Sequence, residues 1–338
     1  MQPPEYIQLY PTTRCNQRCS FCFNGENSCT VDLALKNALV LLDILAENGV
    51  LHIDIMGGEP FLLPWMPDFI ETGLSKGFSL NISTNGSRPG LLQRLRGTSQ
   101  ERFNIGVSLE GSAPEKHNRL TGADNFVSAL ESIKDLVASG SDPIVKTVLN
   151  EDTAEDIQGI LNLIKNIGVR HYYLIHMDIM QKEGDSGSKI FDYAAFLEYY
   201  ERTKQSNTDI GVYRVNASCF DKNSLPPGVR CAGGVRKLSI MPDGAVFPCN
   251  LFHNFKEFEV GNIFRDRFSA IWEHPGLGFF RGHKKSGCTI SQCKNRTSCT
   301  GGCPAHGYYH FGNPEMTDIR CLLSRQNEQN MSRAKTQR

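Results

Sequence analysis

Six times between Tyr6 and about Met180, a short β-rich run is followed by an amphipathic helical stretch, and few folds accommodate that alternation. Strands separated by a helix return parallel to one another, because a tight hairpin can join only antiparallel neighbours. The strand candidates are residues 6–10, 51–55, 78–83, 103–109, 144–149 and 171–176. Between them, apolar residues recur at three- and four-residue spacing, most plainly over 31–48, 125–139 and 154–167, with Thr30, Asp124 and Asp152 or Thr153 as N-cap candidates. Six β/α units are too few to close an eight-unit barrel. The pattern predicts an α/β fold, a partial (β/α)6 TIM-like barrel whose ligand sits at the C-terminal ends of the strands.

Beyond that core, residues 181–189 read as a polar, glycine-containing linker and 191–205 as a connecting helix. After about Val215 the periodicity fades while cysteine, glycine and proline rise, as expected where metal clusters replace a large apolar core. The expected division is a core over 1–180, a linker and connecting helix over 181–214, a cysteine-rich domain over 215–325 and a polar tail over 326–338. Lys+Arg and Asp+Glu both total 36, so no net field favours nucleic acid or an anionic membrane. The N-terminus MQPPEYIQLYP carries no export signal, and no apolar run approaches the roughly 18 residues of a membrane span. A cytoplasmic protein is expected. Its 12 cysteines then meet a reducing environment, where thiolate–metal chemistry explains them better than disulfides.

Ten of those cysteines form two groups, Cys15–Cys22 and Cys231–Cys321; Cys29 and Cys219 stand apart. Cys15, Cys19 and Cys22 make C-x3-C-x2-C directly after the first strand. Three thiolates on one loop can hold three irons of a 4Fe-4S cube and leave the fourth open to a non-protein ligand. A zinc site is the bland alternative, though zinc prefers four protein ligands and C-x2-C pairs. The motif, with the aromatic Phe21 before its last cysteine, resembles that of the radical S-adenosylmethionine (SAM) enzymes. The resemblance implies a SAM-binding 4Fe-4S cluster, with SAM's methionyl amine and carboxylate on the open iron, and reductive cleavage to methionine and a 5'-deoxyadenosyl radical.

Other segments fit the same family. Gly57-Gly58-Glu59-Pro60, one β/α unit later, resembles its SAM-amine motif: the glycines let backbone approach a ligand and the oxygens accept from an ammonium group. Taken alone, GGEP is an ordinary turn. Ser83 and Asn85 in STNG, and Ser108 in SLEG, end the third and fourth strands like the family's SAM-contacting segments, with Glu110 where aspartate is usual. Arg119 in HNRLTG resembles the arginine that meets the SAM carboxylate. Each has a plainer reading as a strand-end hydrogen bonder or a surface charge.

Cys231, Gly244, Cys249, Cys288, Cys293, Cys299, Cys303 and Cys321 follow C-x12-G-x4-C, then C-x4-C-x5-C-x3-C, then C. This resembles the SPASM domain appended to many radical SAM enzymes, with C-x4-C where C-x2-C is usual. The resemblance implies two auxiliary iron–sulfur clusters, one on Cys231, Cys249 and Cys303 and one on Cys288, Cys293, Cys299 and Cys321. Cys219 completes the first or is a buried free thiol; Cys29 reads as structural. A zinc-ribbon-like fold is the bland alternative. Asn250 follows Cys249 where sulfatase-maturing relatives place an aspartate base, which argues against formylglycine formation.

The family architecture implies a peptide or protein maturase, drawing electrons from a flavodoxin or ferredoxin. With Pro3 so close to the first strand, a leader peptide would need a separate binding protein or the catalytic domain itself. The alternatives are a small-molecule enzyme acting on a sugar, nucleoside or tetrapyrrole, and an iron–sulfur electron carrier or scaffold, which GGEP opposes. No general acid or base stands out. His176 or Asp178, near Tyr172 and Tyr173 at the sixth strand's end, is expected near adenine or substrate.

Overall fold

A computed structural model describes residues 2–24, 30–98, 101–180, 191–221, 225–282 and 299–322. All six strand candidates are strands: β1 (Tyr6–Leu9), β2 (His52–Ile55), β3 (Ser79–Thr84), β4 (Phe103–Ser108), β5 (Ile144–Leu149) and β6 (His171–His176). They pair in that order and in parallel. The sheet also grows at both edges. β7 (Gly211–Val215) joins β6 in parallel, and β8 (Lys237–Ile240) joins the free side of β1, also in parallel. β9 (Ala245–Phe247) and β10 (Gly261–Asn262) continue antiparallel, giving ten strands in the order β10-β9-β8-β1-β2-β3-β4-β5-β6-β7. The unclosed barrel is therefore present, widened at both edges by strands that were not among the six expected.

Strand alternation sorts the side chains into two faces. Ile7, Leu9, Ile53, Ile55, Leu80, Ile82, Ile105, Val107, Val145 and Leu174 are at most 1% exposed and meet the helices. The opposite positions, among them Gln8, Asp54, Asn81, Ser83, Ser108, Lys146 and Tyr173, line the lumen. The lumen is polar, and its charged groups are available to a ligand.

Helices cover the outer face: α1 (Leu35–Glu47), α2 (Met66–Ser75), α3 (Pro89–Leu92), α4 (Pro114–Thr121), α5 (Phe126–Ala138), α6 (Glu151–Ala154), α7 (Ile157–Ile167) and α8 (Tyr193–Ser206). In α7, Ile157, Ile160, Leu161 and Ile164 form the buried stripe, each contributing about 2 kcal/mol of apolar burial. Three helix starts differ from expectation. α1 begins at Leu35 rather than near Val31, because Asp32 accepts from Thr12 Oγ1 at 2.6 Å and pairs with Arg14. Asn125, one residue after Asp124, occupies the N-cap position of α5. The stretch from 154 to 167 breaks after α6, where Asp156 turns to accept from Ser112 N and Oγ at 2.6 and 2.8 Å. Asn150 caps α6, accepting from Thr153 N.

β8 and β9 form a hairpin whose turn holds Gly244 at φ +88°, and a Cβ there would lie 2.4 Å from the Phe264 ring. That explains the glycine between Cys231 and Cys249. Among the described residues no helix is long and apolar enough to cross a membrane. Cys29, Cys288, Cys293, the linker at 181–189 and the tail at 326–338 lie outside the described residues.

Candidate active site and auxiliary cluster site

Cys15, Cys19 and Cys22 sit on the loop leaving β1, half-buried and free of disulfides. The loop is held from several sides. Gly58 N and Glu59 N donate to Thr12 O and Arg14 O at 3.0 and 2.8 Å, while Arg18 N and Ser20 N donate to the end of α4. This contact explains the two glycines: a Cβ on Gly57 would lie 2.5 Å from Thr12 O, and one on Gly58 would lie 1.9 Å from Arg14 O. Gly58→Ala is therefore expected to push the GGEP loop off the cysteine loop. SAM affinity measured by equilibrium dialysis should fall at least about tenfold, since a displaced first-contact loop forfeits a hydrogen bond or more.

Glu59 is 1% exposed and already occupied. Its carboxylate accepts from Phe61 N at 3.0 Å, Thr84 Oγ1 at 2.7 Å and Asn85 N at 2.6 Å. Burial pushes its carboxyl up, and those three bonds pull it back. The side chain thus clamps GGEP to STNG and leaves ligand contacts to backbone oxygens. Pro60 opens the short turn that follows. Asn85 extends the clamp, donating to Asn16 Oδ1 at 2.8 Å, and Asn16 reaches Ser87. Four segments, cysteine loop, GGEP, STNG and the end of α4, are knitted into one rim at the strands' C-terminal ends.

Phe21 packs with Leu120 and Met177 in a small apolar cluster beside Cys19. Ser108 ends β4 opposite Lys146 of β5, and Ser83 on β3 accepts from Lys146 Nζ at 2.8 Å. Arg119 is not gathered with the rest: its side chain is 61% exposed and pairs with Asp152 at 3.1 Å. His176 is also misplaced by the sequence reading. It lies on the outer face of β6, 2% exposed, stacked 4.6 Å from Phe196 under α8, because its parity matches Tyr172 and Leu174 rather than the lumen. Asp178 is held by Arg320 at 2.8 Å.

Glu110 is buried, accepts from Val148 N at 3.0 Å and lies close enough to Cys19 for its charge to act on that thiol. Burial pushes its carboxyl up to about 8. With a raised folded-state value the native protein holds an extra proton between roughly pH 4.5 and 8, so this group makes stability fall as pH rises through that window. Glu110→Gln keeps an oxygen for Val148 N and is neutral throughout. Its urea midpoint should exceed that of the parent at pH 8 and match it near pH 4.5, a difference on the order of a few kcal/mol.

A second cysteine group is drawn from the segments that follow β7 and flank β8 and β9, and from residue 303. Cys219, Cys231, Cys249 and Cys303 are buried and free. The Cys219 thiol is close enough to feel Cys303 and Cys231, Cys231 feels Cys303, and Cys249 feels Cys231 and Cys303 in turn. Burial pushes the Cys231 thiol up to about 11 and Cys249 to about 12. The neighbouring Cys219 thiol pulls Cys303 down, and His306 adds to it. Four converging sulfurs without a disulfide fit a four-thiolate cluster. Cys299 adjoins them, its thiol donating to Cys219 O at 3.4 Å, and Cys321 sits on the turn closed by Asp318. The two sites touch through Asn250: its backbone N donates to Gln8 Oε1 and its side chain to the Tyr10 hydroxyl, both at 3.2 Å. The Tyr10 ring lies against Gly57.

Two family models match the chain, the radical SAM superfamily over residues 9–164 and an iron–sulfur cluster-binding domain, SPASM, over 231–304. The chain belongs to the radical SAM superfamily, SPASM branch. Among curated relatives of this radical SAM protein, the antilisterial bacteriocin subtilosin biosynthesis protein AlbA of Bacillus subtilis is 25% identical over 279 residues, 80% of this chain and 60% of the relative. The PqqA peptide cyclase of Xanthomonas campestris pv. campestris is 25% identical over 336 residues, 95% of this chain and 88% of the cyclase. Streptococcus suis SuiB bound to its precursor peptide SuiA shares the fold, with a TM-score of 0.81 at 18% identity over 96% of this chain and 77% of SuiB. The chain thus spans only 60% of the length of AlbA but most of the cyclase.

Lys146, Tyr10, Asn16 and Arg320 went unnoticed in the sequence. For Lys146 a signal existed: a lone lysine at a lumen-facing position in the β-branched run IVKTVL.

Proposed function

We propose that this radical SAM protein is a peptide maturase that cleaves SAM at the Cys15–Cys19–Cys22 loop and abstracts hydrogen from a peptide bound over the lumen. The clamp of Glu59 on Thr84 and Asn85 carries the reading, because it fixes the GGEP backbone beside the cysteine loop where a SAM amine would lie. A bound 4Fe-4S cluster supplies the electron that cleaves SAM. Within this reading Cys15, Cys19 and Cys22 hold that cluster, Gly57, Gly58 and Pro60 shape the amine site, and Phe21, Ser83, Asn85 and Ser108 line the cofactor. Cys219, Cys231, Cys249 and Cys303 hold one auxiliary cluster; Cys299 and Cys321, with Cys288 and Cys293, hold the other.

Peptide modification by the relatives supports the substrate class: one cyclises PqqA peptide and another serves subtilosin biosynthesis. A cytoplasmic setting, a flavodoxin- or ferredoxin-type electron donor and a separate leader-binding protein belong to the same proposal, as does the division into 1–180, 181–214, 215–325 and 326–338. Anaerobic reconstitution followed by SAM and dithionite tests it. Release of 5'-deoxyadenosine by protein carrying about twelve irons, enough for three 4Fe-4S clusters, supports the reading. Zinc in place of iron and no deoxyadenosine would sink it.

A further inference from the structure

Lys237 opens β8 in register with Tyr6 of β1, so strand parity turns its side chain into the lumen with Tyr6 and Gln8, while Leu238 and Ile240 join the core. Its backbone is tied to two of the cysteine segments. Lys237 N donates to Ala232 O at 3.2 Å, and Gly234 N donates both to Lys237 O at 2.9 Å and to Pro248 O at 3.0 Å. The turn between them is close-packed: a Cβ on Gly233 would lie 3.4 Å from Cys231 Sγ and 3.5 Å from Cys249 Cβ. Lys237 Nζ lies 5.8 Å from the centre of the Tyr6 ring, and among the described residues no carboxylate forms an ion pair with it. Burial works against its ammonium, yet Tyr6, Cys249, Cys231 and Asp54 outweigh that and hold it charged.

Other cations near these cysteines are committed to protein oxygens. Arg230, just before Cys231, donates to the carbonyls of Gly301, Gly302, Pro314, Glu315 and Met316. Arg320 and His306 both lie against Asp318, at 2.8 and 3.3 Å. Lys146, the other lysine of the lumen, stands across the sheet on β5 and donates to Ser83 Oγ. Asp54, the lumen carboxylate that Lys237 feels, accepts from Asn81 Nδ2 at 2.7 Å. The four thiols are therefore the anionic site within reach of this ammonium that still lacks a partner of its own. A four-thiolate iron–sulfur cluster is an anion and gains a further negative charge on reduction, so a fixed cation beside it favours the reduced form.

We infer that Lys237 raises the reduction potential of the auxiliary cluster on Cys219, Cys231, Cys249 and Cys303, its ammonium acting on that cluster from the lumen side. The inference rests on the cluster being bound there, as proposed above. Its test is an EPR-monitored redox titration of the anaerobically reconstituted protein, with iron counted in parallel. Lys237→Met keeps a long apolar side chain and removes the charge. One midpoint should then fall by about 59 mV, a tenfold shift in a one-electron equilibrium and the scale expected of a unit charge acting through an effective dielectric of about 20. Lys237→Arg keeps the charge and should hold that midpoint within about twofold of the parent's equilibrium. Iron content should be the same in all three proteins. A midpoint that does not fall in Lys237→Met overturns the inference. So does an equal fall in Lys237→Arg, or a loss of iron from Lys237→Met, since either makes the side chain a structural support. A parent protein that takes up only about four irons, enough for the SAM cluster alone, overturns the auxiliary assignment in the functional reading itself, so the two failures are told apart.

Discussion

Replacing Cys15, Cys19 and Cys22 together with alanine is expected to reduce release of 5'-deoxyadenosine to the level of a protein-free control, with the fold intact. The three thiols are only half-buried, and the long Cys19 Sγ bond to Gln17 Oε1 at 3.4 Å is not the main tie on the loop. The main ties are those of Thr12 and Arg14 to Asp32, and of the GGEP amides to Thr12 O and Arg14 O. Stability should therefore change by no more than about 0.5 kcal/mol, as for substitutions that touch no buried network. The buried sulfurs around Cys303 are untouched, so about eight of about twelve irons should remain after reconstitution. Continued SAM cleavage by the triple variant would remove the basis for placing the reaction at this loop.

Arg320→Met should produce the largest loss of stability. Arg320 is fully buried; its guanidinium donates to Asp318, to Asp178 and to Met177 O, and its carbon lies 5.0 Å from the centre of the Phe220 ring. Asp318 is buried with it and also accepts from Cys303 N at 2.8 Å. Removing the guanidinium leaves buried Asp318 with His306 Nδ1 at 3.3 Å as its remaining cationic partner, a loss of up to roughly 3–5 kcal/mol. Urea unfolding measures it as a lower midpoint at unchanged slope. Adding Asp318→Asn should restore part of the loss, because the second change removes the buried charge. A midpoint within experimental scatter of the parent's would mean that the network carries no net stability.

The barrel was legible because alternation in Ile-, Leu- and Val-rich runs is a local property, and all six such runs are strands. β7 and β8 were not: they are no shorter than β1 or β2, but β8 follows no β/α alternation, and both pair where an edge of the sheet receives them. The cysteine loop and GGEP were legible as motifs, but not that Glu59 spends its carboxylate inside the protein, since its partners are 25 and 26 residues away. His176 shows the limit of reading a strand end without its parity; one residue either way decides between lumen and helix layer. Arg320 offered no signal at all, because a buried arginine and a surface one look alike until Asp178, 142 residues earlier, is folded against it.

The pairing of β8 with β1 sets a rule for anyone rearranging this protein. Because β1 is flanked by β2 on one side and β8 on the other, the C-terminal segment is stitched into the catalytic sheet rather than hung beside it. Cutting the chain after β7 would bare the backbone of the strand that leads to Cys15, and bare strands invite aggregation. Grafting the cysteine-rich segment onto another barrel would require carrying β8 and finding a first strand willing to accept it. The two halves are interchangeable between relatives only as a pair.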